Sequence, residues 1–79
     1  MTLTILYFAQ LAEERGAAQE RLIGDYADLA ALYNALHAQH HFSLAQNQLR
    51  VARNQMFAEW TDAPQDGDEI AFIPPVSGG

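Results

Sequence analysis

The sequence predicts an α+β domain, with one main helix laid over a mixed sheet of four to five strands. Three observations carry that prediction. Both ends of the chain hold short runs of β-branched and aromatic residues, as strands require. One stretch between them carries an apolar stripe at helical spacing. The order of these segments is strand, strand, helix and then three short strands, which is not the βαβα alternation of a parallel sheet.

Thr2 to Phe8, TLTILYF, is the first strand. AQLAEERG continues as a short helical piece, and Gly16 is placed to end it, because glycine accepts the left-handed conformation at a helix C-terminus. Gln19 to Ile23 is a weaker second strand. GDYADLAALYNALHAQH is the clearest helix, running to about His40. Asp25 is positioned to cap its free N–H groups, with Asp28 three residues on, close to a capping box. Leu29, Leu32, Tyr33 and Leu36 fall at i, i+3, i+4 and i+7 and form one apolar face. HFSLAQNQ reads as a loop. Arg50 to Arg53 is a strand, Asn54-Gln55 a turn, and Met56 to Trp60 the return strand. Asp66-Gly67 is the strongest turn signal. Glu69 to Ile73 is the last strand, and Pro74 stops it.

The β-grasp, or ubiquitin-like, roll has this order of elements. It sets the first and last strands side by side at the sheet centre, and these are the most apolar strands here. The expected division is a β-grasp domain over residues 1–73 and an extended arm over residues 74–79.

Seventy-nine residues suffice for one domain with a modest core. Apolar residues make up 49% of the chain, as in globular proteins. Ten Asp and Glu face four arginines, and there are no lysines. Nucleic-acid binding needs clustered cations, so no nucleic-acid partner is expected. The acidity suits either solubility alone or steering toward a basic partner. No apolar run is long enough to span a bilayer, so no membrane partner is expected. No charged leader precedes an apolar stretch, and the cytoplasm is the expected compartment. With no cysteine there is no disulfide, thiolate metal site or thiol nucleophile.

The sequence holds no catalytic constellation of side chains. His37 and His41 are four apart, as metal-ligating pairs can be, but no third ligand has suggestive spacing. Asp66, Asp68 and Glu69 lack the longer loop of a calcium site and read as a turn with solvated charge. No metal site is expected.

Strand alternation gives a clearer clue. Thr2 and Thr4 mark the solvent face of the first strand, and Leu6 and Phe8 share that face. Glu59 marks the solvent side of the return strand, and Phe57 shares it. Ile70 and Phe72 are the better core pair of the last strand, which turns Ala71 and Ile73 outward. Leu6, Phe8, Phe57 and Ile73 would then form an exposed apolar patch, the mark of a partner surface. A register slip of one residue would return them to the core.

The tail gives a second clue. Pro74 and Pro75 hold the chain extended and donate no N–H to a neighbouring strand. Val76 and Ser77 are small. Gly78 and Gly79 have no side chain, so a carboxylate at Gly79 could reach the bottom of a narrow channel. That group is ionised and unreactive at neutral pH unless another protein activates it. Taken alone, such an end also fits a frayed terminus.

VARNQ at 51–55, DGDEIAF at 66–72 and IPPVSGG at 73–79 resemble the small subunits of molybdopterin synthase, the MoaD-type sulfur carriers. ILYFAQLAE at 5–13 is similar to the first strand and following turn of that family. The resemblance covers nearly the whole chain, and its most specific part is the last fourteen residues. The chain departs from the family pattern at Arg53, where an apolar residue is usual, and at Pro64, where leucine is frequent.

The resemblance implies a β-grasp carrier without catalytic side chains or a tightly bound cofactor of its own. An E1-like enzyme would use ATP to adenylate the carboxylate of Gly79, and a sulfur donor protein would convert it to a thiocarboxylate. The arm, Pro74, Pro75, Val76, Ser77, Gly78 and Gly79, would insert into the large synthase subunit of an expected heterotetramer. Sulfur would pass there to a cyclic pyranopterin precursor. Phe8, Phe57 and Ile73 align with the family's apolar contact positions. The alternatives are a carrier of the thiamine type, a family that is generally shorter and lacks IPPVSGG, a ubiquitin-like protein modifier, or a plain interaction module.

Overall fold

A computed structural model describes residues 1–75. The elements are β1 (Thr2–Tyr7), α1 (Gln10–Arg15), β2 (Gln19–Ile23), α2 (Leu29–His40), a 3₁₀ turn (Gln46–Gln48), β3 (Arg50–Arg53), β4 (Met56–Phe57) and β5 (Glu69–Ile73). They form one five-stranded sheet in the order β2-β1-β5-β3-β4. β1 and β5 run parallel, and every other pair is antiparallel. This is the β-grasp arrangement, with the first and last strands adjacent inside the sheet.

Period-two alternation decides what each face buries. Leu3, Ile5 and Tyr7 of β1 join Val51 of β3 and Ile70 and Phe72 of β5 on the inner face. The stripe Leu29, Leu32, Tyr33 and Leu36 of α2 completes that core, with every member at most 1% exposed. The Tyr33 ring lies 5.0 Å from Phe72 and stacks on Phe42 at 6.1 Å. Its hydroxyl donates to the Leu44 carbonyl at 2.6 Å, which satisfies the one polar atom this ring brings into the interior.

Gly16 ends α1 in the left-handed conformation (φ 80°), as its position predicts. Asn54 and Gln55 both take positive φ in the β3–β4 turn, and Gly67 does so in the turn before β5. That second turn is tied to β1: Thr2 N donates to the Asp66 carboxylate, and Gly67 N donates to the Thr2 carbonyl.

Three boundaries differ from expectation. α2 begins at Leu29, with Asp28 as its cap, and Asp25 plays no part. The Asp28 carboxylate accepts from Ala31 N at 2.8 Å. The amides of Leu29 and Ala30 donate to the carbonyls of Asp62 and Trp60, so tertiary docking sets where the helix starts. Asp25 instead holds the Met1 amine at 3.0 Å.

For the same reason the return strand stops at Phe57 rather than Trp60. The chain leaves the sheet so that Trp60 and Asp62 can receive the helix, and the Trp60 ring stacks on Phe72. β1 likewise ends at Tyr7, because Phe8 gives its carbonyl to Leu11 N in the first turn of α1.

Candidate functional site

The outer face of the sheet is built by the same registers. Leu6 pairs with Ala71, Ala71 with Ala52, and Ala52 with Phe57. These four residues form one row across β1, β5, β3 and β4. At the usual spacing between strands the row is about 14 Å long. Its two central members are alanines, so the middle is low while Leu6 and Phe57 stand at the ends. The result is a shallow trough of about 220 Å³, which Phe8 and Ile73 also line. Gln55 and Glu69 form its polar margin.

The structure thus brings Leu6, Phe8, Phe57 and Ile73 together on one face, opposite the helix. Phe57 is 68% exposed and Phe8 46%, which large apolar side chains tolerate but do not favour. Leu6 and Ile73 are half-buried. The register slip that would have hidden them does not occur.

Strand alternation alone did not reveal the floor of the trough. Alternation turns Ala71 outward but says nothing of Ala52. Their signal is smallness at paired positions, which has meaning only once the β3–β5 register is known.

The trough opens toward the end of β5. Pro74 cannot donate a ladder hydrogen bond, and β5 stops at Ile73. Pro74 is half-buried and Pro75 exposed. Both line a larger cleft of about 590 Å³ with Asn47, Gln48, Leu49, Arg50, Phe57 and Ile73. Val76, Ser77, Gly78 and Gly79, the remainder of the expected arm, lie outside the described residues.

Asp68 and Arg53, at the end of this face, are occupied in holding the fold. Asp68 is 7% exposed, and burial alone would push its carboxyl up. Hydrogen bonds from Asn54 and the Gln65 amide, with the Arg53 guanidinium at 3.4 Å, outweigh burial and hold it below its ordinary value. Arg53, one departure from the family pattern, is therefore half of an ion pair at the end of β3. Pro64, the other, is buried in the loop before the turn.

His37 lies beside the Tyr33 ring at 5.9 Å, and His41 closes α2 in the left-handed conformation. No group of three or more metal-ligating side chains gathers among the described residues. No helix among them is long and apolar enough to cross a membrane.

The chain is similar to known proteins over its whole length. It is 35% identical to the molybdopterin synthase sulfur carrier subunit of Escherichia coli, covering 95% of this chain and 96% of that one. It is 38% identical to the subunit of the same name from Haemophilus influenzae, covering 98% and 99%. Among solved structures, SAMP1 from Haloferax volcanii superposes with a TM-score of 0.80 at 29% identity, with both chains fully covered. A chain of the complex of subunits 1 and 2 of molybdopterin-converting factor from Helicobacter pylori superposes at 0.70 and 21% identity, again with full coverage, and shares the fold. The model of the ThiS family matches residues 5–79, from the first strand through the Gly-Gly end. By that match and by its full-length likeness to the molybdopterin synthase sulfur carrier subunits, this chain belongs to the ThiS family.

Proposed function

We propose that this chain is the sulfur carrier subunit of a molybdopterin synthase. The observation that carries the reading is the continuity between the apolar trough and the base of the arm. Ile73 belongs to both: it lines the trough and precedes Pro74. A partner seated on Leu6, Phe8 and Phe57 would receive Pro74–Gly79 directly into its own interior. The full-length identity to sulfur carrier subunits supports the same reading.

In this mechanism the chain's reactive group is the carboxylate of Gly79. A carboxylate oxygen attacks the α-phosphate of ATP in the activating enzyme, giving an acyl-adenylate and releasing pyrophosphate. A sulfide-level sulfur supplied by a donor protein then attacks the acyl carbon, forming the C–S bond as the C–O bond to AMP breaks, and leaves a thiocarboxylate. The β-grasp domain presents this group to the large subunit, where sulfur passes to a cyclic pyranopterin precursor. The two prolines aim the arm, and the two glycines let it pass through a narrow channel. The acid–base side chains for the transfer belong to the partner. The neighbouring complex of subunits 1 and 2 supports a partner of that kind.

The decisive measurement is intact mass after incubation with ATP, activating enzyme and a sulfur donor. Replacement of one C-terminal oxygen by sulfur is expected, and its absence rejects the carrier reading. A chain lacking Gly79 should support no molybdopterin formation with the large subunit.

The likeness to SAMP1, a small archaeal modifier protein, favours a second reading, conjugation through Gly79 to lysines of other proteins. That role predicts covalent adducts on many proteins, where the carrier role predicts none.

A further inference from the structure

Of the four arginines, two are engaged in ion pairs, Arg15 with Glu20 and Arg53 with Asp68. Arg50 has no acidic partner within ion-pair distance among the described residues. It is exposed at the start of β3, and its Cα partner is Ile73, the last residue before the arm. Glu59 borders an adjoining hollow with it but forms no ion pair. The guanidinium instead lies over the Phe57 ring, 4.8 Å from its centroid.

That stacking fixes the side chain between the trough and the arm. An arginine held by an aromatic face keeps its edge N–H groups free, and they match a carboxylate two at a time. Much of the entropy of ordering it is already spent before any partner arrives. The placement also stands out electrostatically, since the chain as a whole carries a net charge of −6. A cation at this position favours a local negative charge on whatever docks there.

We infer that Arg50 is a specificity determinant for docking. It receives an aspartate or glutamate on the rim of the partner pocket that takes the arm. The inference rests on the carrier reading above and names the chemistry of that partner's rim. Reach separates this role from a direct part in the chemistry. Six residues, Pro74 to Gly79, follow Ile73 in the sequence, whereas Arg50 pairs with Ile73 at the base of the arm. The contact is therefore with the partner's rim and not with the activated carboxylate or its phosphate.

The test is calorimetric titration of the full chain against the molybdopterin synthase large subunit of the same organism, at low and high salt. Arg50→Gln should weaken binding about tenfold, and Arg50→Glu clearly more. The salt dependence should become shallower in Arg50→Gln, and the melting temperatures should stay as in the wild type. Arg50→Glu binding like the wild type, while Phe8→Asp does not bind, overturns the inference and leaves the carrier reading intact. A loss in Arg50→Gln with unchanged salt dependence assigns the effect to Phe57 packing and also overturns it. A wild-type chain that does not bind the large subunit overturns the carrier reading, and this inference with it.

Discussion

Asn54 Nδ2 donates to the Asp68 carboxylate at 3.0 Å, and that bond fastens the β3–β4 turn to the entry of β5. Two further bonds repeat the link in both directions: Asn54 N donates to the Glu69 carbonyl, and Glu69 N donates to the Asn54 side-chain Oδ1. The strand that carries the arm is thus clamped at its beginning, well away from its functional end.

Asp68→Ala should cost about 1–3 kcal/mol, because it strands the Asn54 amide and the Gln65 N–H without an acceptor. The sign of the pH effect follows from the shift. The folded carboxyl titrates below its ordinary value, so its contribution is present above about pH 4 and is lost as the pH falls through the folded value. Urea denaturation at pH 7 and at pH 3 should show the variant and the wild type converging at the lower pH. A gap that stays constant with pH would refute the assignment.

His40 makes a separate window. Its imidazole is 13% exposed, and Nε2 has no hydrogen-bond partner. Burial, followed by the Arg15 charge beside it, pushes its titration below the ordinary histidine value, with Glu20 opposing. A base whose folded value is lowered contributes stability above about pH 6.5 and loses it as the pH drops through the folded value. The wild type should therefore weaken between pH 7 and pH 5, before the carboxylates titrate. His40→Gln should flatten that part of the profile. A profile as steep as the wild type's would place the titrating group elsewhere.

Gly67 stands at φ 87°, where a side chain is strained, and a Cβ there would meet nothing within 4 Å. Gly67→Ala should therefore cost about 1–2 kcal/mol from backbone conformation alone, with no clash to relieve. Thermal unfolding measures it directly. A neutral substitution would show that the turn shifts into another conformation.

The legible parts of this fold were those decided locally. The Asp66-Gly67 turn needs a residue that accepts positive φ, and glycine announces it. The apolar alternation of β1 and β5 announces their core faces, because period two leaves no other arrangement once Ile70 and Phe72 point inward. The start of α2 was not local. Asp25 and Asp28 are equally good caps in isolation, and the carbonyls of Trp60 and Asp62, more than thirty residues on, decide between them. The same holds for the site. Its apolar walls could be read from strand alternation, whereas the alanine floor appeared only with the register that sets Ala52 beside Ala71.

That floor makes the docking face testable without disturbing the core. Phe8 is 46% exposed and lies outside the buried cluster on the inner face. Phe8→Asp should therefore change stability by no more than about 0.5 kcal/mol. It should still abolish most of the affinity for the large subunit, by about 2 kcal/mol or more, because it puts a charge where an apolar anchor would be desolvated. Circular dichroism checks the first quantity and calorimetric titration the second. An unfolded variant would show that Phe8 supports the core. A folded variant that binds as the wild type does would place the partner on another face of the sheet.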